Sequence, residues 1–254
     1  MAAPAHGRRQ AELQKTYKGR EIEGVLDLYF YRPIGYWVAR LAQSLRLSPA
    51  VLTVIGGVVG VVAGHFYYYP NFAVNGVGML LHVVSNTFDN ADGQLARLIG
   101  KGSRVGRALD GLIDNVVFLS VYVHLCLRAT AAGGTGAIWL LGLAAATSHS
   151  VQSCIADYLR NAYLYFSGKR SELESSEVVN QSARLLSWQR EGLQKLLLTL
   201  YLSYTREQEM LTPKVAALYE ATKDNLPDWM TQEYRRESHP MVKLAGALTT
   251  NARM

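Results

Sequence analysis

The sequence predicts an all-α fold: a polytopic membrane helical bundle with an N-terminal interfacial helix and amphipathic C-terminal helices. Three observations predict it. Hydrophobic residues make up 49% of the 254 positions while mean hydropathy is only +0.03. That balance is high for a soluble chain and low for one buried in lipid throughout, so a membrane bundle with polar ends is expected. Second, four long apolar stretches alternate with polar turns. Third, Lys and Arg gather in every other turn, as the positive-inside rule requires. The net charge of +6 suits cytoplasmic loops and anionic headgroups. No basic stripe or nucleic-acid module is present, so nucleic acid is not an expected partner.

Residues 1–23 read as a loose basic tail, with no early apolar core that would mark a signal peptide. From residue 24 to 46 aromatic residues mix with Arg32, Arg40 and Arg46, the pattern of an interfacial helix. The first span follows Ser48, a capping residue, and Pro49, suited to a first helical turn. Its uncharged run of about 20 residues is long enough to cross the hydrocarbon core. Gly56, Gly57, Gly60 and Gly64 recur along it at spacings that let helices approach closely in lipid. Tyr67–Tyr69 read as an interface belt. Further spans are expected near residues 72–88, 106–127 and 138–158. The last carries a polar "SHSVQS" stretch that should face the bundle interior. Cys126 and Cys154 lie in apolar stretches and are expected as buried free thiols.

Beyond residue 165 the chain turns polar. An acidic loop at residues 171–177 precedes an amphipathic helix, with Leu186, Leu193, Leu197, Leu200 and Tyr204 expected on one face. Pro213 opens another helix. The domain reading is thus a tail over 1–23, a membrane core over 24–165 and an amphipathic region over 166–254, which has no further stretch long enough to cross.

Four carboxylates stand out because charge within a membrane protein is expensive and functional. Asp89 and Asp92 are three positions apart at the end of the second span; Asp110 and Asp114 are four apart at the start of the third. On helices each pair shares a face, so two neighbours could aim four carboxylates at one volume. Protons or divalent cations would then have to neutralise them, and carboxylate oxygens suit Mg²⁺ or Mn²⁺. Gly93, Gly100, Gly102 and Gly106 lie between, and Arg97 can bind phosphate, which together describe a site for a pyrophosphate-bearing substrate. The alternative is that the aspartates cap helices and pair with Arg97, Arg104 and Arg107. His149 reads as a hydrogen-bonded bundle histidine, or as a residue that orients a polyol. His65, His82 and His124 show no ligand spacing and read as packing or interface residues.

The stretch resembles the CDP-alcohol phosphotransferase signature D-x2-D-G-x2-A-R-x8-G-x3-D-x3-D. Its fixed positions are Asp89, Asp92, Gly93, Ala96, Arg97, Gly106, Asp110 and Asp114, with no position missing and no spacing altered. The likeness covers residues 24–165, including Pro49-x3-Thr53. It implies a membrane enzyme that holds two divalent cations, Mg²⁺ or Mn²⁺. By that resemblance Asp89, Asp92, Asp110 and Asp114 are metal ligands, and Asp114 is also the general base. Gly93, Ala96, Arg97 and Gly106 would line the CDP site, with Thr53 near the nucleotide.

The implied reaction moves a phosphatidyl group from CDP-diacylglycerol to an alcohol and releases CMP. The flanking segments resemble a bacterial subgroup with inositol phosphate acceptors; glycerol 3-phosphate is the alternative, and Arg104, Arg107 and Arg160 are candidate acceptor contacts. The implied setting is the bacterial inner membrane with the site facing the cytoplasm, and the family often forms homodimers. The family's last spans are not found in the chain. An ion-binding or transport protein is the reading from a different class, because intramembrane carboxylates also mark ion pathways.

Overall fold

The computed structural model of the chain describes residues 12–17, 19 and 22–249, with side chains through Leu244. Arg8, Arg9, Lys18 and Arg20 of the expected basic tail lie outside the described residues. Every regular element among the described residues is helical. The chain divides into two compact units, one of Met1–Tyr17 and Val25–Ser150, the other of Lys18–Gly24 and Val151–Met254.

In the first unit a π-helical turn, Asp27–Tyr31, runs directly into α1, Arg32–Ser44, with Pro33 in its first turn. Apolar residues occupy both sides of α1. Gly35, Tyr36, Ala39 and Ala42 are buried, while Phe30, Ile34, Trp37 and Leu41 form an exposed stripe at spacings of three and four. That exposed stripe is the face expected of an interfacial helix. The buried side packs on α3, Phe72–Leu98.

Pro49 opens α2, Pro49–Phe66, as expected, and Ser48 stands at its N-cap. The Ser48 side chain makes no capping hydrogen bond, so the cap read from the sequence is positional only. The glycine stripe of α2 is buried, and both α3 and α4, Arg104–Ala131, pack against it rather than chiefly on each other. A Cβ on Gly56 would stand 2.9 Å from Phe88 Cβ of α3; one on Gly64 would stand 2.5 Å from Ser120 Oγ of α4. The stripe therefore sets how closely α3 and α4 approach the same helix.

α3 extends ten residues past the expected end of the second span. No proline interrupts residues 89–98, and Ala91 and Leu95, one turn apart and fully buried, pack with Ala39, Ala42 and Leu52. The helix stops at Gly100, which adopts φ +65°. Lys101 N–H donates to Ala96 O at 3.0 Å and Gly100 N–H to Arg97 O at 3.4 Å, the paired bonds of a Schellman motif. Ser103 then caps α4, accepting from Gly106 N–H at 3.0 Å. The turn between the aspartate pairs is thus only residues 99–103, and Gly93 is helical.

α2 and α4 are long and apolar enough to cross a membrane, with mean hydropathies of 1.8 and 1.5 over their most apolar stretches. α3 and α5, Ala137–Phe166, match the other two expected spans in position, but their polar ends and interruptions leave them short of that apolarity. Their outward faces are nevertheless apolar: Val77, Leu80 and Val84 on α3, and Trp139, Leu140, Leu141 and Leu143 on α5, are exposed.

α5 starts in the first unit and continues into the second, where α6, Ser176–Arg184, α7, Trp188–Leu211, α8, Pro213–Thr222, and α9, Asp228–Thr249, follow. The core there is aromatic: Tyr158, Tyr165, Phe166 and Tyr219 pack with Ala162 and Leu173. Ser176 ties α6 to α7 by donating through N and Oγ to the Glu209 carboxylate, at 2.7 and 2.6 Å. Pro213 opens α8 as expected. The face expected on α7 is corrected. Leu197, Leu198, Leu202, Thr205 and Gln208 are its buried side, whereas Leu193 and Leu200 are exposed. Glu191 breaks the helical path with φ −133°, ψ 32°, so a single wheel cannot carry Leu186 through to Tyr204.

Candidate active site

Asp89 and Asp92 lie one turn apart near the C-terminal end of α3, and Asp110 in the second turn of α4. Their carboxylate oxygens all fall within 4.8 Å of one another; Asp92 is buried, Asp89 and Asp110 half-buried. Ionised carboxylates at that separation repel by about 3 kcal/mol per pair at an effective dielectric of about 20. A cation relieves that repulsion. The donors are all oxygen, and their span is close to that of a sphere of ligands at about 2.0–2.6 Å from a hard divalent ion. The residues therefore fit Mg²⁺ or Mn²⁺.

Asp114 stands four residues beyond Asp110, half-buried on the same side of α4 by helical spacing, and is not one of the group of three. Thr53, buried on α2, donates its hydroxyl to Asp92 Oδ2. A third helix, α2, is thereby tied to the carboxylates through Thr53.

Arg97 follows Gly93 by one helical turn and its guanidinium folds back over it. A Cβ on Gly93 would meet Nη2 at 3.3 Å and Nη1 at 3.6 Å. Arg97 Nε donates to the backbone carbonyl of Thr16. Ala96 is half-buried beside it and takes part in the helix-ending motif. Gly106 lies in the first turn of α4, where an added Cβ would meet only Ser103 Oγ, at 3.1 Å. Arg104 is half-buried and Arg107 exposed on that same turn. Arg160 belongs to the second unit, where its Nε donates to Ala156 O at 3.2 Å.

Two residues that sequence reasoning missed adjoin the site. Gln94, fully buried, donates to Thr16 Oγ1 at 2.9 Å and to Arg32 O at 3.1 Å. Nothing in the motif marks Gln94, and Thr16 is 78 positions away in sequence. The described residues 12–17, expected as part of a loose tail, are therefore folded against α3, with Thr16 only 1% exposed.

His149 bonds Tyr122 OH through Nδ1 at 3.0 Å and rests on Phe118, with ring centroids 4.3 Å apart, which is bundle packing. His65 and His124, unrelated by spacing, meet at 3.2 Å between Nδ1 and Nε2. Cys126 and Cys154 are buried free thiols, as expected.

Three carboxylates thus converge from two helix ends, with a glycine-capped turn between them and Arg97 one turn beyond Gly93, in an all-helical domain whose α2 and α4 are long and apolar enough to cross a membrane; the cluster could hold a metal ion. Residues 46–165 match the sequence model of the CDP-alcohol phosphatidyltransferase family, and that segment holds every position of the aspartate motif. Archaetidylinositol phosphate synthase of Pyrococcus horikoshii is 31% identical to this chain over 90 residues, 35% of this chain and 46% of that protein. The match thus spans about half the length of the curated relative. The resemblance read from the motif stands on the segment that carries the site.

Proposed function

We propose that the protein is a phospholipid-synthesis enzyme that transfers a phosphatidyl group from CDP-diacylglycerol to an alcohol and releases CMP. One observation carries the reading: the Asp89, Asp92 and Asp110 carboxylates converge from two helices inside the segment that matches the family. Divalent cations held by these aspartates, with Asp114 joining them, would supply positive charge to the donor's pyrophosphate. Arg97 adds a fixed cation one turn beyond Gly93, and Gly93 keeps side-chain bulk away from the same edge. Ala96 and Gly106 line the nucleotide site, and Thr53 orients Asp92.

Asp114 takes the proton from the acceptor hydroxyl. The acceptor oxygen then forms a bond to the phosphorus that carries the lipid. The bond from that phosphorus to the bridging oxygen breaks, and the oxygen leaves with CMP. Lipid tails stay beside the exposed apolar faces of α2 and α4 while the headgroup meets the aspartates.

Inositol phosphate is the acceptor we propose. The name of the Pyrococcus relative supports it, and Arg104 and Arg107 on the helix that carries Asp110 suit a phosphorylated acceptor in general. Arg160 was assigned to the same acceptor from the sequence, and the geometry of the first unit does not bear on it. Glycerol 3-phosphate would use the same cations. The alternation of basic turns supports a site on the cytoplasmic side of the membrane, and a bacterial inner membrane is the setting we propose. A homodimer is the proposed working unit.

The test is product identification. Purified protein is given CDP-diacylglycerol with inositol phosphate, glycerol 3-phosphate, inositol or serine, and the lipid product is weighed by mass spectrometry. A product with inositol phosphate alone supports the assignment. A product with glycerol 3-phosphate or serine instead keeps the transferase and removes the acceptor. No lipid product with any acceptor, in protein that binds Mn²⁺, counts against the transferase itself.

A further inference from the structure

We propose that Thr16, in the segment before the first helix, is a positioning residue of the transferase site, acting through Arg97 and Gln94. The inference rests on the functional reading above. Thr16 is 1% exposed and engages α3 twice. Its backbone carbonyl accepts from Arg97 Nε, and its hydroxyl accepts from Gln94 Nε2 at 2.9 Å. The same hydroxyl donates to Leu13 O at 2.6 Å, and Thr16 N–H donates to that carbonyl at 3.0 Å, closing a tight local turn. Tyr36 OH of α1 donates to Glu12 Oε2 at 2.8 Å and holds the segment from its other end.

The chemistry of the guanidinium gives the arrangement its meaning. An arginine presents five donors in one plane, so fixing Nε fixes where the two Nη groups point. Here the Nε bond to Thr16 leaves the Nη groups over Gly93, the residue that follows Asp92 in the chain. Gln94 lies between Arg97 and the aspartates in sequence, and its amide holds the Thr16 turn in place from α3. A loose Arg97 would spend its side-chain entropy on each nucleotide bound; a clamped one has lost it in advance. Thr16 touches no reacting atom and its effect is on orientation.

The test uses the full chain in detergent, with Mn²⁺ and CDP as the probe, measured by calorimetry alongside steady-state CMP release. Thr16→Val removes the hydroxyl at constant shape. Its expected effect is a loss of CDP affinity of about three- to tenfold, the size of one net hydrogen bond passed on to Arg97 through the loosened turn. KM for the CDP donor should rise in step while kcat stays within twofold (about 0.4 kcal/mol by RT ln 2). Thr16→Ser, which keeps the hydroxyl, restores binding. Arg97→Lys keeps the charge and loses Nε; in that background Thr16→Val should have no further effect on CDP binding. Gln94→Met breaks the same contact from the α3 side and should reproduce the shift, so the test does not depend on one variant folding. If Thr16→Val and Gln94→Met both bind CDP as wild type does, or if their effects add fully to that of Arg97→Lys, the positioning role is overturned. Failure of the wild-type protein to bind CDP at all would instead overturn the transferase reading on which the inference stands.

Discussion

Substituting Gly57 with alanine probes how the site is held together. Its Cβ would stand 2.4 Å from Ile113 Cγ2, 3.4 Å from Cδ1 and 3.6 Å from Cβ. The closest of these is about 1 Å short of ordinary carbon–carbon contact. Cγ2 sits on the branch of a residue with one strongly preferred helical rotamer, so it cannot swing aside without strain. The relief is a shift of α4 away from α2. Overpacking of this kind costs about 1–3 kcal/mol. Asp110 lies one turn before Ile113 on the same helix, while Asp89 and Asp92 stay with α3, which packs on α2 through its own contacts. The shift therefore opens the carboxylate cluster, and a misplacement of about 1 Å lowers a rate by as much as about 10²-fold. The assay is CMP release with thermal unfolding of the same preparation. Gly76→Ala, on a helix where an added Cβ meets nothing within 4 Å, serves as the control and should leave both unchanged or slightly raise stability. Ile113→Ala removes the obstructing atoms, so the double variant should recover most of the lost rate. A Gly57→Ala protein with wild-type activity and melting temperature would refute the idea that the α2 glycines set the distance between the aspartate-bearing helices.

Three further outcomes are expected. Thr53→Val removes the donor to Asp92 and, if Asp92 holds metal as proposed, should weaken Mn²⁺ binding by about 10-fold or more, read by electron paramagnetic resonance titration. Gly35→Ala places a Cβ 2.6 Å from Gln94 Oε1 and 3.3 Å from Ala91 N, so α1 must lift from α3; a destabilisation of about 1–3 kcal/mol is expected in denaturant melts. Burial raises the phenol pKa values of Tyr204, Tyr219 and Tyr234 in the second unit above the ordinary 10.0, with neighbouring acids adding to the shift for the first two. The folded state then holds protons that the unfolded chain releases, so these groups' contribution is full below about pH 10 and is lost as pH rises past it. Tyrosinate absorbance and helix content followed together should change in one step above that pH; titration of all three at the ordinary value, with helix intact, would contradict this.

The sequence revealed the helices whose apolar runs are long and whose ends carry proline or glycine. Pro49, Pro213 and Gly100 mark boundaries because each acts through its own backbone. The extension of α3 to Leu98 was less legible, since the polar residues that read as a turn are helical only because Ala91 and Leu95 pack on neighbours distant in sequence. The aspartates were legible because each pair lies within one turn. Which three converge was not: that depends on α3 and α4 both leaning on the α2 glycines. Thr16 and Gln94 could not be read at all, as neither carries a local signal and their contact exists only once the segment folds back on α3. On α7 the periodicity misled: Leu193, Leu197 and Leu200 recur at helical spacing, yet the buried side runs through Leu197, Leu198, Leu202 and Thr205, because neighbouring elements and not the leucine spacing decide which face is covered.

The aspartates at the ends of α3 and α4 are proposed to form a metal-dependent transferase site. CMP release from CDP-diacylglycerol, with inositol phosphate present, measured with and without Mg²⁺ for wild type, Asp92→Asn and Asp114→Asn, tests it most directly. Wild-type protein is expected to release CMP only when the cation is present. Asp114→Asn should lose release with Mn²⁺ and CDP still bound, and Asp92→Asn should lose both binding and release. Release that persists in Asp114→Asn, or that is indifferent to the cation, would contradict this assignment.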